Sequence, residues 1–533
     1  LVTLFIYIIL CIVKLIFLLA GSKYHPRAAK TVPENVNREE LRADYWRREA
    51  QSSLKRKIDG PVNLAAAKNV IMFLGDGMSV TTLAAARAAL GQQTGRPGEE
   101  ASLSFEKFPV VGLAKTYCVD GQVADSACSA TAYLCGVKAN DGTLGVEARV
   151  SLGDWKAAAD NTTHVDSIAV WALEAGRDVG VVTSTRITHA SPAGLYAHTC
   201  DRDFENDGAV RNAGLDPKIT PDIAYQLVHG YPGKHFKVAL GGGMRNMVPR
   251  VTDGSDPDQL RGRRQDGRDL TAEWVERGGQ LVRNAAELAA LDPNSPDPVL
   301  GIFADSHLPY REVAGPNDPS LKDLTEFAIK KLSQNDKGFF LFVEGGRIDH
   351  AHHDNQPGLA LDETLAMADA VSVAAAHPDT LVLVTADHSH VMTYNGYSNR
   401  GRDILGTSGS RDRDRVPYMT LSYGNGPGFR PHTNGVRPDV TQESGYGSTF
   451  WMSHVDAPLN SETHGGEDVA VFALGPHQHM FTGLYEQSEL PHLMGYAACL
   501  GPGLHAPTCG AAGLQIQLTL LVLLIAVVEY FRQ

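Results

Sequence analysis

The stretch Phe339 to His353, FFLFVEGGRIDHAHH, is an apolar run that delivers Glu344, Asp349, His350, His352 and His353 in quick succession. Carboxylates and imidazoles are the side chains that hold divalent cations, so this spacing points to a metal-assisted enzyme. Asp349 and His353 are four residues apart, which on a helical turn lets one segment offer two ligands to one ion. Any one of these residues taken alone is more often a core histidine or a solvated acidic turn. The cluster as a whole is hard to explain that way.

The same coincidence recurs along the chain. Asn69 to Leu74 runs into Gly75-Asp76-Gly77, and Thr380 to Thr385 runs into Asp387-His388-Ser389-His390. Asp178 to Thr183 leads, after a short link, to His189-Ala190-Ser191. Helix capping explains one such aspartate but not the joint pattern. In open α/β sheets, the carboxyl ends of strands are where ligands collect. The mixed carboxylates and imidazoles suit catalytic zinc, and the oxygen-rich subset Asp76, Ser191 and Glu344 better suits magnesium. Val123 to Ala130 supplies a nucleophile: Ser126 stands ahead of a helical run, Ala130 to Val137, where free N–H groups favour an anion. A serine there is ordinarily an N-cap; beside a metal it becomes an alkoxide without needing a histidine base.

The elements that must position these groups alternate between strand and helix. Asn69–Leu74, Asp178–Thr183, Lys237–Leu240, Gly338–Val343 and Thr380–Thr385 read as buried strands, with helices between them at Thr325–Leu332 and Leu359–Ala376. This predicts an α/β fold with a large, mostly parallel central sheet covered on both faces. Residues 34–58 read as a polar amphipathic helix lying on the surface or on a partner subunit. A Gly/Asp/Arg-rich stretch, 395–462, breaks the rhythm as an insertion, and no internal repeat is evident.

The chain has 533 residues, 43% hydrophobic and 20% charged, with a formal charge of -13, and no basic stripe for nucleic acid. An anionic substrate would therefore need local cations. Leu1 to Ala20 is apolar apart from Lys14, and residues 1–21 read as a secretory signal peptide, with an uncleaved anchor as the alternative. At the other end, 510–533 begins with small residues and turns apolar, as a GPI-attachment signal does; a single-pass helix is the alternative. Either reading puts the body outside the cell. Seven cysteines fit that compartment. Cys499 and Cys509 bracket a Gly/Pro-rich loop and are expected to close it, while pairing among Cys118, Cys128, Cys135 and Cys200 is not readable from spacing. Asn161-Thr162-Thr163 is a glycosylation sequon.

Together FLGDGM (Phe73 to Met78), DSACSATAYLCGVKAN (Asp125 to Asn140), HASPAGLYAHT (His189 to Thr199), the Phe339 run, TADHSH (Thr385 to His390) and ETHGGEDVAVFA (Glu462 to Ala473) resemble the alkaline phosphatases, particularly insect membrane-bound forms. The likeness covers about 35 to 500 in unbroken order, within a catalytic domain read as 34–500. It implies a three-layer sandwich with 395–462 as a small crown, and broad phosphate monoester hydrolysis through a phosphoserine. It implies two zinc ions and one magnesium per subunit. Asp349, His353 and His464 would hold one zinc, and Asp76, Asp387 and His388, with Ser126, the other. Asp76, Ser191 and Glu344 would hold magnesium, and Arg202 would grip phosphate through its planar fork. His189 and His350 would orient the groups around the metals, and His352 has no assigned role.

The resemblance also implies a homodimer, with Tyr397 of the crown reaching toward the partner's active site. Departures from the family pattern matter too. One vertebrate disulfide has no counterpart, and a Cys118–Cys200 bridge is the expected replacement. Asp256, Phe303 and Asp318 roughly fit a calcium site, but Ala304 stands where a carboxylate belongs, so calcium is not assigned. A sulfatase or phosphodiesterase of the same superfamily is the sibling reading, and Asp125 to Ala130 lacks the sulfatase signature. A catalytically silent surface glycoprotein would have lost ligands, and here the implied set is complete.

Overall fold

The computed structural model describes residues 32–60, 62–250, 262–411 and 414–509. The segments expected to be a leader (1–21) and a C-terminal attachment signal (510–533), and Asp256, lie outside these residues.

Eight strands carry the first part of the sheet. They are β1 (Asn69–Gly75), β2 (Val110–Lys115), β3 (Asp178–Arg186), β4 (Val238–Gly242), β5 (Gln280–Val282), β6 (Val299–Ile302), β7 (Phe339–Gly345) and β8 (Thr380–Thr385). Val469–Leu474 and Gly483–Glu486 complete ten, in the order Gly483–Glu486, β2, Val469–Leu474, β8, β1, β7, β3, β4, β6, β5. Val469–Leu474 pairs antiparallel with both neighbours, and every other pairing in this sheet is parallel. The mostly parallel α/β sheet expected from the β-α alternation is therefore present.

All residues of β1, β7 and β8 are buried, which is why these strands are near-continuous apolar runs rather than alternating ones. Each fully buried Leu, Val or Phe contributes roughly 1.5–3 kcal/mol. Order in the sheet matters more for the site. β8, β1, β7 and β3 are neighbours, and Leu74 stands beside both Glu344 and Thr385, while Glu344 stands beside Thr183. Four strands thus end level with one another, and their following residues open onto one edge.

The insertion pairs Leu421–Gly426 and Val455–Pro458 with Met392–Tyr394, just ahead of it, in a three-stranded sheet, and adds a two-stranded ribbon and a small cluster of Met419, Val440 and Trp451. The N-terminal helix spans Ala43–Asp59 and buries none of its residues, as its polar composition requires.

Two disulfides are present among the described residues. Cys499–Cys509 closes the loop expected of it. The expected Cys118–Cys200 bridge is not made: Cys118 bonds to Cys128, and Cys200 is a free, buried thiol. The reason is packing. Cys200 sits in an apolar cluster with Val146, Val150 and Phe204, whereas Cys118 packs with Ala124, Cys128 and Ala139.

Candidate active site

Ser126 opens the helix Ser126–Cys135, every residue of which is buried. It is not the cap. Asp125 takes that duty, its carboxylate accepting from the Ala127 and Cys128 amides, both at 3.0 Å. The Ser126 hydroxyl is thereby spared and lies 3.3 Å from His388 Nε2. The same Asp125 carboxylate accepts from Arg202 Nη1 at 3.0 Å and from the Gly142 amide at 3.0 Å. Arg202 Nη2 lies 3.3 Å from His189 Nε2. One aspartate therefore fixes both the serine turn and the guanidinium.

Around the serine, ligand-type atoms converge in three overlapping groups: Asp349, His353, His390 and His464; Asp76, Asp349 and His388; Asp76, His189 and Glu344. In the first, His353 Nε2 is 3.3 Å and His464 Nε2 3.4 Å from Asp349 Oδ1, and the two ring nitrogens are 3.2 Å apart. In the second, His388 Nε2 is 3.6 Å from Asp76 Oδ1, and it lies 3.2 Å from Oδ2 of Asp387, which stands beside that group. Four ligands at ~2.0–2.1 Å around a tetrahedral zinc stand ~3.3 Å from one another. Both groups have those edges.

The ring tautomers fit as well. The Nδ1 atoms of His353, His464 and His388 face the carbonyls of Glu462 (2.6 Å), Ala124 (2.7 Å) and Ser389 (3.2 Å). A carbonyl accepts only, so Nδ1 carries the hydrogen and Nε2 presents its lone pair inward. His350 differs: its Nδ1 lies 3.0 Å from Arg347 Nη1, and its ring packs beside those of His189 and His307. His352 spans Thr82 Oγ1 and Tyr423 Oη at 3.0 and 2.8 Å, a structural tie consistent with its lack of an assigned role.

Electrostatically the cluster is unfinished. Asp76, Glu344 and Asp387 are fully buried. Both Asp76 carboxylate oxygens, Glu344 Oε1, Asp387 Oδ2 and the Ser191 hydroxyl find no hydrogen-bond partner. Buried polar atoms are nearly always paired, so five orphans in one place mark a site built for something else. Burial, followed by the charges of Asp387, Asp349 and Glu344, holds Asp76 well above the usual carboxylate range. Burial also lifts Glu344, to about 7, against hydrogen bonds from Thr183 and Thr185. Divalent cations would relieve both. The donor set fits two nitrogen-and-oxygen zinc sites and an oxygen-rich third site at Asp76, Ser191 and Glu344.

Some contributors carry no assigned role in the sequence reading. His390 is gripped at both nitrogens by carboxylates, Asp349 Oδ1 at 2.7 Å and Glu462 Oε2 at 2.5 Å. Burial works against a charge there, but Glu462 and Asp349 push it up to about 10, and with both ring nitrogens engaged His390 steadies Asp349. Antiparallel pairing of His464 with His390 puts it there. Gly77 makes room: with φ +66° its missing Cβ would lie 2.3 Å from His390 Nε2, and its amide donates to Asp387 Oδ1 at 2.9 Å. The D-H-S-H spacing was the available signal for His390; its pairing with Glu462 was not. Tyr397 and Asn161 are exposed, the latter in a short 3-10 turn.

A family profile described as alkaline phosphatase matches residues 67–500. The membrane-bound alkaline phosphatase of Bombyx mori is 53% identical over 524 residues, covering 95% of this chain and 94% of that protein. The human tissue-nonspecific isozyme is 44% identical over 486 residues, 88% of this chain and 91% of its own. Among solved structures, Thermus thermophilus alkaline phosphatase superposes with a TM-score of 0.58 at 26% identity, over 85% of this chain and 95% of that one. The enzyme of the Antarctic bacterium TAB5 shares the fold, with a TM-score of 0.56 at 23% identity over 81% and 99% of the two chains. A profile over most of the chain, with relatives matched nearly end to end, means that this chain belongs to the alkaline phosphatase family and is a phosphate monoester hydrolase.

Proposed function

We propose that hydrolysis runs through a phosphoserine at Ser126, in a site holding two zinc ions and one magnesium, with broad tolerance of the leaving group. The observation that carries this reading is the set of ~3.3 Å edges around Asp349 and His388, beside orphaned carboxylates that no side-chain cation neutralises. Asp349, His353 and His464 would hold one zinc; Asp76, Asp387, His388 and Ser126 the second; Asp76, Ser191 and Glu344 magnesium. When bound, these ions supply Lewis-acid neutralisation of oxyanion charge and lower the pKa of water and alcohol.

The chain's own groups do the rest. Arg202, braced by Asp125, offers its fork to two phosphate oxygens. Ser126 Oγ, at the helix N-terminus, gives up its proton to water and attacks phosphorus in line. The Oγ–P bond forms as the ester P–O bond breaks, and the leaving oxygen takes a proton from water. A second water then attacks phosphorus from the side the leaving alcohol vacated, opposite Oγ; the Oγ–P bond breaks, Oγ takes up the proton the water gives up, and inorganic phosphate departs. His390 keeps Asp349 in place throughout, and His189 abuts the guanidinium. Because recognition is of the phosphoryl group, the alcohol matters little.

We further infer attachment to the outer face of the cell membrane, supported by the apolar segment at 510–533 and by the printed name of the Bombyx mori relative. Among the described residues, no helix is long and apolar enough to cross a membrane. A homodimer through the crown and the N-terminal helix, which buries none of its residues, completes the reading. Ser126→Ala should lower turnover of p-nitrophenyl phosphate by at least ~10³-fold with zinc and magnesium content kept. Normal turnover in that variant, or activity that survives thorough chelation, would overturn this reading.

A further inference from the structure

We propose that the Cys118–Cys128 disulfide is a positioning device for phosphate capture, locking the nucleophile turn to the loop that orients His464. The proposal rests on the roles given above to Ser126, Arg202 and His464.

Cys128 is the third residue of the helix that Ser126 begins. Its amide donates to Asp125 Oδ1 at 3.0 Å, and that carboxylate in turn accepts from Arg202 at 3.0 Å. Displacing Cys128 therefore displaces the cap and, through it, the guanidinium. On the other side of the S–S bond the chain runs from Cys118 to Ala124, whose carbonyl receives His464 Nδ1 at 2.7 Å. The bond closes a ring that contains the serine and holds the serine's turn, the phosphate grip and an inward-facing imidazole in one frame.

Non-covalent packing supplies little of that rigidity. The local cluster is only Cys118, Ala124, Cys128 and Ala139, all small side chains. Val119 and Val123 between them are 55% and 41% exposed. A loop with so few buried apolar contacts belongs to the easily opened part of a fold, unless something else ties it. Here the ties are the disulfide and a few hydrogen bonds, among them the Val119 amide to the Ala139 carbonyl at 3.0 Å and the Asp141 amide to Asp120 Oδ1 at 2.8 Å. In-line transfer tolerates little misplacement, about 1 Å costing on the order of 10²-fold. A fraction of that displacement is what loss of the bond should produce.

The test uses the full-length enzyme. Peptide mapping without reduction should recover Cys118 joined to Cys128; Cys118 joined elsewhere, or present as a free thiol, overturns the proposal. Cys118→Ser/Cys128→Ser, assayed well below its melting temperature, should keep its zinc and magnesium. Its kcat/KM for p-nitrophenyl phosphate should fall about tenfold, and its Ki for inorganic phosphate should rise about tenfold. Unchanged kcat/KM and Ki with only a lower Tm would make the bond a plain structural staple and overturn the proposal. If the double variant does not fold, a brief phosphine reduction of the wild type gives the same readout, with reoxidation restoring it. Cys499→Ser/Cys509→Ser is the control and should leave Ki unchanged. Trapping of phosphoserine at Ser126 in the wild type separates the two questions: its absence would sink the site reading, whereas its presence beside an unaltered variant would sink only this one.

Discussion

Two buried carboxylate clusters in this molecule have opposite outcomes. Around Arg264, whose side chain is fully buried, Asp207 and Asp222 are drawn out of water together with a guanidinium that also reaches the more exposed Asp266. Arg264 Nη1 and Nη2 meet Asp222 at 2.9 and 3.2 Å, and Nη2 meets Asp266 at 2.5 Å. The cluster at the ends of β1, β3, β7 and β8 withdraws Asp76, Glu344, Asp349 and Asp387, yet both oxygens of Asp76 have no partner. In the first the chain provides its own cation and the cluster is closed. In the second the cation must come from outside, and the structure carries that cost to keep a reactive opening. Substitutions in the two places should therefore move different observables.

The largest expected effect is at Asp76, which belongs to two of the three ligand groups. Asp76→Asn should cut turnover by at least ~10³-fold, as removal of one essential member of a catalytic unit does. In the metal-free protein it should raise stability by about 1–3 kcal/mol, because one buried like charge is gone. Retained turnover, or a loss of metal-free stability, would erase the contrast. Arg264→Met should do the reverse, costing about 3–5 kcal/mol by stranding the buried Asp222 beside the buried Asp207, with kcat/KM per folded molecule within about threefold. Thermal melts paired with active-site titration decide it, and a large kinetic defect in that variant would count against a structural role.

A smaller effect distinguishes the clusters by pH. Glu344 sits at about 7 when buried without a cation. A carboxylate whose folded pKa is raised binds its proton more tightly in the native state, so its stabilising contribution is present below the unfolded value and lost as pH rises. Metal-free protein should therefore lose about 3 kcal/mol between pH ~4.5 and ~7 from this group, and added zinc and magnesium should flatten the slope. Equal slopes with and without metal would remove Glu344 from the site. The smallest effect is expected at Asp266→Asn, about 1 kcal/mol, because Asp266 lies at the more exposed edge and Asp222 remains to pair Arg264. A cost as large as that of Arg264→Met would mean that Asp266 is the main partner.

How legible all this was depended on burial and length. The central strands β1, β3, β7 and β8, together with β4, read directly because full burial makes them continuous apolar runs. The edges did not. β5 and β6 have three and four residues, and β2 mixes Gly and Lys with half-exposed positions. Val469–Leu474 lay inside a recognised motif, but an apolar run of six says nothing about direction, and it runs antiparallel. Ser126 was legible as the head of a helix, whereas its freedom from capping depends on the Asp125 carboxylate. The Cys118 partner was misassigned because spacing carries no information about which thiols share a packing cluster.

The identity of the chemistry was written in residue types and order: carboxylates and imidazoles after apolar runs, a serine at a helix start, and an arginine downstream. Those are local facts, and side-chain chemistry does not change on folding. What needed three dimensions was everything that depends on distance between remote segments. Sheet order made β8, β1, β7 and β3 neighbours, which brings Asp76, Glu344 and Asp387 to one edge. Cross-strand register set His390 beside His464, where Asp349 and Glu462 grip both its ring nitrogens. Packing chose Cys128 for Cys118. Coulomb energy and ligand geometry depend on separations of a few ångströms, and only the folded chain sets those.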